Sequence, residues 1–255
     1  MKVILNIATH GDETIGNSVA KKLKNLKLKI GTLSIQIANP VAYRRRKRFI
    51  DQDLNRSFPG KANGNHEQKL AFKLLPIIKS ADIVIDIHST TSDLKDALIV
   101  TKSDSKTLAC VKVINPKYFL KMSVTKDNAL ISNAKVGIAF EFGRDRDIKT
   151  INKTVLGIKR LLSHLKMLSN KTLKIHPVKT KIIFFDVKKI VEKPKGALLK
   201  RSIRNYHLVK KGSVYAYDSS GREIKAERDF YPILFGEKNY KDYFGFASYI
   251  KKEIT

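Results

Sequence analysis

Short apolar runs alternate with amphipathic stretches over the first 170 residues. Lys2 to Ala8 reads as a buried strand, and the polar turn Thr9-His-Gly-Asp-Glu13 follows at once. Thr14 to Leu26 carries Ile15, Val19, Leu23 and Leu26 at helical spacing, and Lys29 to Ala38 alternates as a strand does. Asn39 to Gly64 has no sustained period. With Pro40, the cluster Arg44-Arg-Arg-Lys-Arg48 and Phe58-Pro-Gly60, it reads as long loops of the kind that carry function. Regular structure resumes with a helix over Glu67 to Ser80, a buried strand over Asp82 to Ile87 that ends at His88, and a strand over Ala97 to Thr101. Val136 to Phe142 predicts one more strand. Lys149 to Leu168 predicts a helix whose apolar face holds Ile151, Val155, Ile158, Leu161, Leu162 and Leu165. Strands alternating with helices predict an α/β sheet.

The pattern changes after about Asn170. Short β-like segments, Lys181 to Val187, Leu198 to Ile203 and Ser213 to Tyr217, are separated by turn signals such as Ser219-Ser-Gly221 and Lys193-Pro-Lys-Gly196. The expected division is an α/β domain over 1–170 and a small β-rich domain over 171–255, joined by the short polar linker Ser169-Asn-Lys171.

Composition narrows the class. Of the 255 residues 42% are hydrophobic and 29% charged, the balance of a globular chain that buries a core. The most apolar stretches are far shorter than the roughly 20 residues a bilayer needs. Met1 to His10 lacks a signal peptide's long apolar region, so a cytoplasmic protein without a membrane partner is expected. The single Cys110 excludes an intrachain disulfide and a Cys-based zinc knuckle, so a metal site would use His and carboxylates. The net charge of +28 attracts phosphate backbones in principle. Yet the first 170 positions hold 31 basic and 14 acidic residues and the remainder 20 and 9, an even spread. That favours a lysine-rich surface over a dedicated nucleic-acid stripe, so no specific nucleic-acid partner is expected.

Two of the six His, His10 and His88, sit just past the ends of apolar strands, where open α/β sheets place ligands. Glu13, three residues after His10, can turn back toward the same point. His, Glu and a distant His form a three-ligand zinc set that leaves a position open for chemistry. By spacing alone, His10-x-x-Glu13 more often marks solvated turn surface. Asp86 shares a strand face with His88, and Asp53 lies among the loop motifs; each reads equally as a partner of the site or as a structural group. His66, His164, His176 and His207 have no partner pattern and read as structural or exposed.

Read together, the motifs say more. Thr9-His-Gly-Asp-Glu13, Arg48-Phe-Ile-Asp-Gln-Asp-Leu-Asn-Arg-Ser-Phe-Pro-Gly60, Asp86-Ile-His-Ser-Thr-Thr91, Glu141-Phe-Gly143 and Tyr231-Pro-Ile-Leu-Phe-Gly-Glu-Lys-Asn-Tyr240 occur in one order. In that order the chain resembles the succinylglutamate desuccinylase/aspartoacylase family of zinc carboxypeptidase-like deacylases, most clearly over residues 1–170. The resemblance implies a mixed sheet flanked by helices, with a small β-rich C-terminal domain shaping the substrate entrance. It implies one zinc per chain held by His10, Glu13 and His88, Glu141 as general base and Arg48 polarising the scissile carbonyl. Asn55 and Arg56 would hold a substrate carboxylate, the Arg fork bidentately, and Tyr240 would add a phenol. Without the resemblance, Glu141 reads as a strand-end carboxylate, Arg48 as part of the solvated cluster, Asn55-Arg56 as a loop turn and Tyr240 as packing.

The implied activity is zinc-dependent hydrolysis of the linear amide of an N-acyl amino acid or similar small carboxylate. A zinc carboxypeptidase or amidopeptidase on the same scaffold is the alternative, and a non-catalytic binder of nucleic acid or anionic surfaces is a further class. Aspartoacylase-like members place another Arg shortly before the catalytic Glu to grip an acyl carboxylate. Here Asn128-Ala-Leu-Ile-Ser-Asn-Ala134 contains none, and Lys126, Lys135, Arg144 and Arg146 are the substitute cations nearby. The oligomeric state is not legible in the sequence.

Overall fold

A computed structural model describes residues 1–90, 95–125, 127–168, 181–237 and 240–254. The order of elements is β1 (Lys2–Ile7), α1 (Ile15–Leu23), β2 (Thr32–Ile37), α2 (Pro40–Arg45), α3 (His66–Ser80), β3 (Ile83–His88), β4 (Ala97–Val100), α4 (Ser105–Ile114), β5 (Tyr118–Met122), β6 (Val136–Glu141) and α5 (Ile148–His164). The C-terminal region follows with β7 (Ile182–Glu192), β8 (Leu198–Leu199), β9 (Val214–Tyr217), β10 (Glu223–Lys225), β11 (Tyr231–Ile233) and β12 (Tyr243–Ile254).

Nine strands form one mixed sheet in the order β11-β12-β7-β5-β4-β6-β3-β1-β2. The pairs of β1 with β2 and β3, and of β3 with β6, are parallel; β4 runs antiparallel to β6. The expected α/β architecture, a mixed sheet flanked by helices with β-rich structure after it, is the one observed. Three strands of the C-terminal region, β7, β12 and β11, extend the main sheet itself, while β10-β9-β8 make a separate three-stranded sheet. The linker Ser169-Asn-Lys171 and His176 lie outside the described residues.

The core follows from the patterning. β1 and β3 are apolar almost throughout and buried on both faces. One face is covered by α1, α4 and α5, whose Val19, Val111, Ile158, Leu161 and Leu162 pack on Leu5, Ile85 and Ile138. Each such side chain contributes roughly 1.5–3 kcal/mol on burial. Gly157 on α5 lets that helix approach Phe140, since a Cβ there would crowd the ring. The opposite face is covered by α3 through Ala71, Leu74 and Ile78. Among the described residues no helix is long and apolar enough to cross a membrane.

Some elements differ from the pattern reading. α2 stands inside the stretch expected to be loop, started by Pro40 in its first turn and capped by Asn39, whose side chain accepts from the Ala42 amide. The reading also passed over α4, β5 and the β10 to β12 strands, and Leu198 to Ile203 is strand only at its first two residues.

Candidate active site

The C-terminal ends of β1, β3 and β6 meet at one crevice, the place the sheet topology reserves for ligands. β1 ends at Ile7, and Ala8 takes a positive φ of 54° that turns the chain into the loop carrying His10 and Glu13. Gly11 in that loop donates its amide to the Arg48 carbonyl at 3.1 Å. A Cβ on Gly11 would overlap the Ala42 carbonyl, so only glycine lets the two backbones approach this closely. Asp145, four residues beyond Glu141, closes the other side: its Oδ1 accepts the Thr14 and Ile15 amides at 2.9 and 2.7 Å, capping α1 just after Glu13.

His10, Glu13 and His88 converge. Their candidate ligand atoms lie within 4.8 Å of one another. His10 Nδ1 is 2.6 Å from Glu13 Oε1, and His88 Nδ1 is 3.0 Å from Glu13 Oε2. All three side chains are buried. Burial alone would discharge the imidazoles. Glu13 and Asp53 outweigh it at His10, holding its pKa at about 9, and Asp86 and Glu13 raise His88 well above its ordinary value. The same imidazoles overcome the burial of Glu13 and hold its carboxyl far below the usual range. Two imidazoles and a carboxylate, buried and pointing at one another, are a donor set that suits zinc.

Asp86 and Asp53 both serve this cluster. Asp86 Oδ2 lies 2.8 Å from His88 Nε2, and its Oδ1 accepts the Thr9 hydroxyl at 2.6 Å. Asp53 Oδ1 lies 3.1 Å from His10 Nε2 and also accepts the Asn55 amide. Carboxylates placed in this way can orient imidazole ligands in metal sites.

Glu141 ends β6 directly opposite His88 on β3. Its Oε2 is buried with no hydrogen-bond partner. Burial pushes its pKa up to about 7, only partly countered by His88. Arg48 leaves the cluster it belongs to in sequence. Arg44 to Lys47 are exposed, whereas the Arg48 side chain is 40% exposed and turns inward. There its guanidinium stands 3.4 Å from Glu13 Oε1 and 3.2 Å from His10 Nε2.

A cavity of about 80 Å³ joins these groups to Asn55, Arg56 and Tyr240. Asn55 reaches 3.3 Å from His88 Nε2 through its amide nitrogen, while its side-chain oxygen accepts the Leu130 amide. Arg56 donates to the Asn55 carbonyl at 2.9 Å, and among the described residues no carboxylate stands at ion-pair distance from it. Tyr240 stacks on Tyr243 at 4.1 Å between ring centres and also lines the cavity, so packing and site membership coexist. The remaining wall is largely apolar: Ile99, Met122, Ile131, Leu234 and Phe246. Of the substitute cations, Lys135 is at the far end of β6 against Asp82, Arg144 and Arg146 are exposed, and Lys126 lies outside the described residues.

Pattern reading did not find Met122 on β5 or Phe246 on β12, and it took in Leu234, just past β11, within the Tyr231–Tyr240 segment without assigning it to the site. It also passed over Glu67 and Asp145. The only local signals are the capping-box spacing Asn65-His-Glu-Gln68 and the position of Asp145 close behind Glu141.

Comparison with known proteins places the chain. Residues 1–165 match the succinylglutamate desuccinylase/aspartoacylase catalytic domain. A probable aspartoacylase of Prochlorococcus marinus (strain MIT 9515) is 26% identical over 294 residues, covering 99% of this chain and 94% of the relative. An N-acyl-aromatic-L-amino acid amidohydrolase (carboxylate-forming) of Xenopus laevis is 30% identical over 167 residues, 56% of this chain and 55% of that protein. Among solved structures, murine aminoacylase 3 superposes with a TM-score of 0.79 at 20% identity, covering 100% of this chain and 96% of its own. A succinylglutamate desuccinylase/aspartoacylase from Rhodobacter sphaeroides gives 0.75 at 18% identity, with coverages of 100% and 86%. The domain match takes in β1 through α5 and with them His10, Glu13, His88 and Glu141, and the chain belongs to the succinylglutamate desuccinylase/aspartoacylase family.

Proposed function

We propose that this protein is a zinc-dependent hydrolase that cleaves the amide bond of an N-acyl amino acid, releasing a carboxylate and an amine. The observation that carries the reading is the convergence of His10, Glu13 and His88, with His10 and His88 lining one cavity beside a partnerless Glu141 oxygen. Zinc held by His10, Glu13 and His88 would supply Lewis acidity to the scissile carbonyl and to the attacking water. Glu141, with a pKa raised to about 7, is suited to take the water's proton and return it to the leaving amine. Arg48 places a cation beside the cluster where negative charge develops on the carbonyl oxygen. Arg56, free of a carboxylate partner among the described residues, is the group to bind the substrate's carboxylate, with Asn55 beside it.

The apolar wall favours a substrate with one carboxylate and neutral groups elsewhere. Ala129 and Ile131 line the cavity in the segment that lacks the additional Arg, so that part of the wall offers a second carboxylate no cation of its own. Residues 171–255 are proposed to form the unit that shapes the entrance, which the placement of Leu234, Tyr240 and Phe246 in the cavity wall supports.

Elemental analysis of protein purified without a metal-affinity tag tests the reading, with His88→Ala alongside and a screen of N-acetyl amino acids against short peptides. About one zinc per chain, lost in the variant, together with hydrolysis of a neutral N-acetyl amino acid is the expected result. No metal after zinc is resupplied, or no hydrolysis by the loaded protein, rejects it.

A further inference from the structure

The Glu67 carboxylate is fully buried at the start of α3, and none of the described ion pairs includes it. It is nonetheless fully engaged. Its Oε1 accepts the Ile50 amide at 2.7 Å and the Asn39 side-chain amide at 3.1 Å, and its Oε2 accepts the Asp51 and Gln52 amides at 2.9 and 3.2 Å. Three successive backbone N–H groups thus wrap one carboxylate, as such nests wrap anions. The clasp is reciprocal: Asp51 Oδ2 accepts the His66 amide at 2.8 Å, and Gln52 Oε1 accepts the Asn65 side chain at 2.8 Å. The clasped segment lies between two parts of the site. Arg48 precedes it by two residues, and Asp53, Asn55 and Arg56 follow it. Asn39 extends the clasp to the loop that carries His10 and Glu13, since its backbone N–H donates to the Ala8 carbonyl at 3.1 Å.

We propose that Glu67 is a positioning residue for the reaction, whose buried carboxylate fixes the 50–52 backbone and so sets Arg48 and the Asn55–Arg56 pair against the reacting centre. It touches neither the His10–Glu13–His88 cluster nor the cavity. The inference rests on the hydrolase reading above. A buried anion held by three backbone amides and one neutral side-chain amide neutralises no cation of the site, so it shapes the loop without cancelling the charge of Arg48 or Arg56.

The test compares zinc-loaded wild type with Glu67→Gln, an isosteric change that sets an NH2 group against amide donors. The expected result is an unchanged zinc content with kcat lowered and KM raised, each by about tenfold, the first through Arg48 and the second through Arg56. Asn39→Ala, which removes one donor of the four, should shift both in the same direction by less. Ile158→Ala, a core change on α5, serves as the destabilised control and should keep both constants. Amide hydrogen exchange adds an arm that needs no variant: the Ile50, Asp51 and Gln52 amides should be protected in the wild type. Free exchange at those three amides overturns the proposal, as does a zinc-loaded Glu67→Gln protein with wild-type kcat and KM. A zinc-loaded wild type that hydrolyses no N-acyl amino acid overturns the hydrolase reading itself, a result distinct from an active wild type with an indifferent variant.

Discussion

His88 and Glu141 stand opposite each other as the last residues of two adjoining parallel strands. The rigid spacing of the sheet thereby fixes the distance between a proposed metal ligand and the proposed base, with no loop between them to drift. Positions held on strands rather than loops are the ones a site can keep within the tolerance catalysis needs.

Replacing Glu141 by Gln should lower kcat by about 10²- to 10⁴-fold, the range for loss of a positioned proton-transfer group. Zinc content and thermal midpoint should hold, because Oε2 makes no hydrogen bond that the substitution would break. Steady-state kinetics beside metal analysis checks both, and turnover within a few-fold of wild type would remove Glu141 from the role of base.

Asp86 stands against His88 Nε2 and is itself held by Thr9. Asp86→Asn should weaken zinc affinity about 10- to 100-fold without removing a ligand. Competition against a chelator of known affinity measures this directly; an unaltered constant would mean that the carboxylate serves packing alone.

Arg56→Lys keeps the charge and discards the planar fork. The expected effect is a KM raised about tenfold, roughly 1.4 kcal/mol of binding, with kcat changed far less. A kcat-dominated loss would instead place Arg56 at the reacting carbonyl.

Glu67 gives a pH signature. Burial opposes its ionisation, but the Ile50, Asp51 and Gln52 amides and Asn39 hold its folded-state pKa below the ordinary 4.5. A carboxyl depressed on folding contributes stability that is present above its unfolded pKa and lost as pH falls through the folded value. Thermal melts should therefore show an acid limb below about pH 4.5 that is shallower in Glu67→Gln, on top of a loss of about 1–3 kcal/mol at neutral pH from strained amide donors. Parallel limbs in the two proteins would show that Glu67 is not ionised in the fold.

Much of this was legible in the chain. β1, β3, β6 and α5 announce themselves by apolar period, and three of them end at His10's loop, His88 and Glu141, so the strand-end positions of these residues could be read with them, while their proposed roles come only with the family resemblance. What escaped is instructive in physical terms. α2 is too short to show a period and is set by Pro40 and the Asn39 cap. Arg48 looks like its four basic neighbours, so only the family resemblance singles it out; its inward turn rests on tertiary contacts, the Gly11 amide on its carbonyl and Glu13 and Asp53 beside its guanidinium. Glu67 sits where an acidic residue is ordinary, in the first turn of a helix, and its value depends on amides from 15 to 17 residues away. Long-range burial of this kind leaves no periodic trace.

The main sheet runs on without a break from β1 and β3, which lead to His10 and His88, into β7, β12 and β11. This makes the protein indivisible in a practical sense: the part matched by the catalytic-domain family holds β4 on one side of β5 but ends before β7 on the other. A fragment stopped there would carry every proposed metal ligand and the base, yet present β5 as a raw edge ready to pair with other chains. It would also lack Leu234, Tyr240 and Phe246 from the cavity wall. Modular reuse of the catalytic half, by fusion or by truncation, is therefore closed to this chain unless a new neighbour is built for β5.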